Sequence, residues 1–238
     1  MNQSPIIALD FSGKKETMEF LDLFGNEELF VKIGMELFYK EGPSVISELK
    51  DRGHDVFLDL KLHDIPNTVK RAMKNLAQMG CDLVNVQAAG GSVMMEAALE
   101  GLEAGTPAGQ TRPLCISVTQ LTSTSEEQMQ SEQLISASLG ESVIHYARIS
   151  QQAGLDGVVC SVQEAAMIAS QIGTGFLTVC PGIRPAGAAA GDQKRVATPQ
   201  QARESGVSSI VVGRPITTSA TPFESYRLIK QEWEGGQA

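Results

Sequence analysis

Val56-Phe-Leu-Asp-Leu-Lys-Leu-His-Asp-Ile-Pro-Asn-Thr68 is the stretch from which the fold and the chemistry are both read. Apolar residues run to Leu58, and Asp59, Leu60 and Lys61 then alternate polar, apolar, polar. A strand repeats every two residues, so Asp59 and Lys61 are expected on one face. Asp64 follows at the mouth of a loop. Ile65-Pro66-Asn67-Thr68 leads into a helix, because proline suits a first helical turn and residues 69–79 favour helix. A lysine flanked by two carboxylates is costly to bury unless the charges pair. A surface salt-bridge cluster would account for an arbitrary Asp-x-Lys. Here the charges end a run that reads as a core strand, and ligands bind at the C-terminal ends of such strands in parallel α/β proteins.

The chain around this stretch is 238 residues long, enough for one large domain or two small ones. A hydrophobic content of 42% is that of an ordinary globular protein, and the net charge of −9 argues against a nucleic-acid or anionic-membrane surface. It leaves room for an anionic small molecule held by a few arginines. No apolar run approaches the length of a membrane span, and Met1-Asn-Gln-Ser-Pro5 does not read as a signal peptide. Cys81, Cys115, Cys160 and Cys180 show no Cys-x-x-Cys spacing, and the last three lie in or beside apolar runs. They read as buried free thiols of a soluble, cytoplasmic protein.

Strands are expected at residues 4–10, 29–33, 56–61, 81–87, 113–118, 157–160, 176–180 and 209–212, with helical patterns between them. Residues 36–52 read as one helix, 142–153 as another, and 223–233 as the last; the Ser/Glu/Gln-rich stretch after Ser123 reads as a polar connection. Eight alternations without a break in composition predict a single (β/α)8 TIM barrel over residues 1–238. A doubly wound open sheet is the alternative; no Gly-x-Gly-x-x-Gly follows the first strand to support it.

On a barrel, polar residues recur where strands end: Asp10 on the first, Lys32 on the second, Asp59 and Lys61 on the third. Neighbouring strands lie about 4.8 Å apart, so these groups are expected to form one alternating charge network. Such a network suits a proton donor better than a Schiff-base lysine, which must shed its proton. A second cluster follows strands seven and eight, the recurrent phosphate site of these barrels. Arg184 stands at the root of a long Gly/Ala loop, Gln193 near its far end, and Gly213-Arg214-Pro215 after strand eight. Gly213 allows backbone N–H groups close to an oxyanion, and Arg214 can clamp it as a fork. The plainer alternative is a simple turn beside a plain loop. Thr122 and Ser123 fit substrate contacts and turn formers equally, His63 fits a helix-entry residue, and His54 and His145 read as element-end or surface residues.

These residues resemble the orotidine 5′-phosphate decarboxylase family. The likeness rests on Asp59-Leu-Lys61-Leu-His-Asp64-Ile-Pro-Asn-Thr68, Ala8-Leu-Asp10, Val31-Lys32-Ile-Gly-Met35, Leu121-Thr-Ser123, Pro181-Gly-Ile-Arg-Pro185, Asp192-Gln193 and Val211-Val-Gly-Arg214. It spans nearly the whole chain. The resemblance implies a barrel that converts orotidine 5′-monophosphate to uridine 5′-monophosphate without metal or organic cofactor. It implies Lys61 as proton donor to C6, Asp59 beside the substrate carboxylate, and Asp10 and Lys32 at the ribose. Thr122 and Ser123 would lie at the pyrimidine, and Arg184, Gln193, Gly213 and Arg214 would hold the phosphate. Asp64 and Thr68 would reach into the neighbouring site of a homodimer. Metal-dependent sugar-phosphate lyases share the Asp-x-Lys core, and a non-catalytic phosphoribosyl-binding protein is the rival of a different class.

Overall fold

The computed structural model describes residues 4–185 and 195–235. Eight parallel strands pair in chain order around a closed barrel, β1 (Ile6–Ala8), β2 (Phe30–Gly34), β3 (Asp55–Leu62), β4 (Leu83–Gln87), β5 (Leu114–Val118), β6 (Gly157–Val159), β7 (Leu177–Cys180) and β8 (Ser209–Val212), and β8 returns to β1. Around them run α1 (Lys14–Asp22), α2 (Met35–Glu41), α3 (Ser44–Asp51), α4 (Pro66–Gln78), α5 (Ser92–Gly105), α6 (Glu126–Glu132), α7 (Leu139–Gln152), α8 (Val162–Gln171), α9 (Pro199–Glu204), α10 (Arg214–Thr217) and α11 (Pro222–Glu234). Ring closure removes the open-sheet alternative. The single-domain (β/α)8 barrel expected from the alternation is what the chain forms.

Three local expectations change. Residues 36–52 are two helices, because Gly42 adopts φ 68° and Pro43 cannot continue the hydrogen-bond ladder. The polar stretch after Ser123 contains α6, started by the Ser125 side chain accepting the Gln128 N–H. The helix expected from Ser142 begins at Leu139, where Ser138 and Glu141 form a reciprocal cap.

The pleat divides the strands into two apolar layers. Val56, Leu58 and Leu60 of β3 face the helices and join the larger core with Val31, Ile33, Val84 and Val86. Phe57 points inward and packs with Ile6, Ala8, Phe30, Leu83, Ile116, Val179 and Val211. That inner plug fills the barrel, so the next inward residue on each strand forms a floor for ligand at the C-terminal mouth. Against the outer wall, α4 and α5 lie backbone to backbone. A Cβ built on Gly101 or Gly105 would stand 2.2 Å from the carbonyl of Lys70 or Lys74, so only glycine admits this approach.

The opposite end of the barrel is held by side chains that cap strand N–H groups. Asp82 accepts from Val56 N at 2.7 Å and Lys50 Nζ at 2.6 Å. Asp156 accepts from Cys115 N at 2.7 Å and takes both guanidinium nitrogens of Arg112 at 2.7 and 3.0 Å. His54 is buried rather than at the surface; burial, then the Arg52 charge, lowers its pKa, and its Nδ1 accepts from Leu29 N at 3.3 Å. The four cysteines are buried free thiols, and burial pushes those of Cys81 and Cys115 up to about 12.

Asp156→Ala should cost about 2–3 kcal/mol, since it removes a charged hydrogen-bond partner from a buried strand N–H and from Arg112. Chemical denaturation should show the lower midpoint. Because the change lies at the barrel end away from the mouth, turnover per folded molecule should stay as in the parent.

Candidate active site

The mouth carries the charges expected of it. Asp10, Lys32 and Asp59 each stand one inward step beyond Ala8, Phe30 and Phe57 of the apolar plug. Lys61 Nζ lies 2.7 Å from Asp59 Oδ1, Lys32 Nζ 3.5 Å from Asp59 Oδ2, and Lys32 Nζ again 3.3 Å from Asp10 Oδ1. The four groups therefore alternate in sign from Asp10 to Lys61. The Asp59 side chain is 13% exposed. Burial alone would raise its pKa; Lys32, then Lys61 and the hydrogen bonds from Lys61 and Asn85, outweigh that and lower it, so it is a carboxylate.

Asp59 and Lys61 do meet, but the pleat alone does not bring them together. β3 pairs Leu58 with Val84 and Leu62 with Val86, so Asp59, Leu60 and Lys61 stand opposite Asn85 alone. This bulge turns Lys61 into the left-handed region, φ 53°, which costs a non-glycine residue about 1–2 kcal/mol. Asn85 holds the distortion. Its Oδ1 accepts from Lys61 N at 2.7 Å and its Nδ2 donates to Asp59 Oδ1 at 2.6 Å. Sequence reasoning passed over Asn85; its only signal was a polar residue inside the apolar run Leu83-Val84-Asn85-Val86.

A cavity of about 570 Å³ opens above this floor, lined by Asp10, Lys32, Asp59, Lys61, Thr122, Ser123, Arg184, Gly213 and Arg214 among others. That volume suits a nucleotide-sized ligand. Thr122 is buried and Ser123 exposed on the loop after β5. Two residues outside the expected set brace that loop. Gln120 donates to Gln133 and Ser142 at 3.2 Å each. Arg195 donates to the Leu121 carbonyl at 2.8 Å and pairs with Glu164, whose other oxygen caps the Ser161 N–H. Across the mouth, Arg184 is buried, with Nη1 donating to the Ile183 carbonyl, while Arg214 is exposed on the first turn of α10. Ile183 and Ala197 form a parallel bridge that joins the two roots of the loop after β7. A Cβ on Gly213 would face Ala8 at 3.5 Å and Asp10 at 3.7 Å, so its absence widens the cavity floor.

Two expected residues lie apart and one cannot be placed. Asp64 and Thr68 are exposed and outside this lining, and Asp64 Oδ1 accepts from Ile65 N at 2.7 Å. His63 is likewise exposed. Gln193 falls outside the described residues.

A closed (β/α)8 barrel with alternating lysines and carboxylates beneath a nucleotide-sized cavity defines a candidate active site built of paired charges. The model of the orotidine 5′-phosphate decarboxylase / HUMPS family matches residues 4–229, and the chain belongs to that family. It is 62% identical over 234 residues to orotidine 5′-phosphate decarboxylase of Lysinibacillus sphaericus, covering 98% of this chain and all of that one. It is 60% identical over 235 residues to the enzyme of that name from Bacillus cytotoxicus, covering 99% of each. The crystal structure of orotidine 5′-phosphate decarboxylase from Lactobacillus acidophilus superposes with a TM-score of 0.89 at 43% identity, over 98% of this chain and 99% of that one. Among the described residues no helix is long and apolar enough to cross a membrane.

Proposed function

We propose that this chain, as one domain over residues 1–238, decarboxylates orotidine 5′-monophosphate to uridine 5′-monophosphate, the last step of de novo UMP synthesis, without a cofactor. The observation that carries the reading is the 2.7 Å contact of Lys61 with the largely buried Asp59 carboxylate at the cavity floor. Loss of CO2 from C6 leaves an electron pair in the ring plane, which the π system cannot delocalise. The site must therefore stabilise charge electrostatically and supply a proton. Lys61 does both, its ammonium facing the developing carbanion before protonating it. Asp59 lies beside the departing carboxylate, and Lys32 and Asp10 meet the ribose hydroxyls while completing the charge chain. Both Asp59 oxygens already have cationic partners, an arrangement that favours this role over metal ligation.

The remaining residues divide by substrate part. Thr122 and Ser123 contact the pyrimidine; Arg184, Gln193, Gly213 and Arg214 hold the phosphate in the loops after β7 and β8. Binding energy from that remote group holds the reacting charges in place and so lowers the chemical barrier. Asp64 and Thr68, exposed on their own subunit, complete the site of a second copy in a homodimer. We place the enzyme in the cytoplasm, in keeping with its free thiols.

The ultraviolet change of orotidine 5′-monophosphate, followed with purified protein and excess EDTA, tests this. Conversion to uridine 5′-monophosphate is the expected outcome. Failure with EDTA, followed by turnover of a sugar phosphate on adding magnesium, would move the chain to the metal-dependent lyases. Tight nucleotide binding with no turnover under either condition would leave a binding protein.

A further inference from the structure

Asn85 lies at the centre of the charge chain without carrying charge. It is 1% exposed, on β4, in the single-residue gap opposite the β3 bulge. Its orientation follows from its partners: a backbone N–H only donates and a carboxylate only accepts, so Oδ1 must face Lys61 and Nδ2 must face Asp59. Asp59 Oδ1 thus receives two donors, the Asn85 amide at 2.6 Å and the Lys61 ammonium at 2.7 Å. One side chain fixes both the backbone from which Lys61 departs and the oxygen on which its ammonium rests.

We propose that Asn85 is a positioning residue for proton delivery, holding Lys61 in its left-handed backbone and directing its ammonium by anchoring Asp59 Oδ1. The proposal rests on the reading of Lys61 as proton donor. An amide merely satisfied inside the barrel would serve stability, and its loss would leave the proton-transfer chemistry of folded molecules alone. A positioning amide has a different signature, because the donor it offers Asp59 must stay neutral.

Among the described residues the charged groups around it are few. Asp59 and Lys61 face it from β3, Lys32 from β2 and Asp10 from β1 stand behind them, β5 presents Ile116 and Val118, and His63 is exposed beyond the strand end near Gly90. Asn85→Asp is isosteric and keeps an acceptor for Lys61 N. When ionised, it places a second carboxylate against Asp59, and like charges at that range resist joint ionisation. Taking up one proton restores a neutral donor. Activity lost at neutral pH should therefore return as pH falls.

The test compares kcat, KM and pH profiles for orotidine 5′-monophosphate, with the Kd of uridine 5′-monophosphate as a measure of an intact pocket. Asn85→Ala should lower kcat about 10- to 100-fold, the range seen when an orienting partner is lost, with KM and product Kd within about threefold. Asn85→Asp should shift the pH optimum down by at least about one unit, as expected of coupled carboxyl groups. An Asn85→Ala protein retaining half its kcat, or an Asn85→Asp protein with the parent pH profile, would overturn the proposal. If Asn85→Ala does not fold, the Asn85→Asp profile decides alone. Parent protein that turns over no nucleotide defeats the decarboxylase reading itself; active parent with unaltered variants defeats only the role of Asn85.

Discussion

Lys61→Ala should lose at least about a thousandfold in kcat, roughly 4 kcal/mol in barrier, the upper range for a positioned general acid and base. The variant removes the proposed proton source and, with it, one of the two cations that neutralise Asp59. Asp59 keeps Lys32 at 3.5 Å and the Asn85 amide at 2.6 Å, so the site should remain folded. Uridine 5′-monophosphate carries no carboxylate to oppose Asp59, and the contacts proposed for its phosphate, Arg184 and Arg214, lie across the mouth. Its affinity should therefore remain measurable by calorimetry while turnover collapses. Retention of more than about a tenth of activity, less than ~1.4 kcal/mol, would end the proton-donor assignment.

The same pairing sets a pH dependence for stability. Asp59 has a folded-state pKa below its unfolded one. Its contribution is thus present above the unfolded value and is lost as pH falls through the folded one. Removing Lys61 takes away part of the cause, so Lys61→Ala should narrow the stability gap between neutral and acid unfolding midpoints relative to the parent.

Much of the barrel was legible because its strands are short apolar runs separated by helical patterns, and the pleat of Val56 to Asp59 is written in the residues themselves. Gly42-Pro43 shows where local punctuation was overlooked: the apolar period continues through it although the backbone does not. Ser138-x-x-Glu141 is a sequence signal too, and its capping box sets the start of α7 three residues before the expected one. The charge cluster was legible residue by residue at strand ends. Its geometry was not, since the alternation of Asp59, Leu60 and Lys61 looks the same with or without a bulge. Asn85 escaped for a related reason. Its meaning lies in a partner strand two elements away in register, which no spacing within Leu83–Gln87 records. Arg195 and Glu164 likewise meet across 31 positions.

Asp64 stands apart from the cavity of its own chain. The carboxylate is exposed and caps its own Ile65 N–H, Ile65 beside it is 67% exposed, and none of these belongs to the cavity lining. If the site is completed across a homodimer, Asp64→Ala and Lys61→Ala should each be inactive alone and recover when mixed. In a mixed dimer one site carries both defects. The other takes Lys61 from the Asp64→Ala chain and Asp64 from the Lys61→Ala chain, so it is whole. Random reassociation at equal amounts makes half the dimers mixed, each with one working site, giving about a quarter of parent activity for a two-fold isologous pair. Were Asp64 to serve the site of its own chain, both sites of the mixed dimer would be singly defective and no activity would return. Near-parental activity of Asp64→Ala by itself would remove the residue from the chemistry. Recovery near a quarter is the expected result, because it alone makes an exposed aspartate and a half-buried lysine members of the same site.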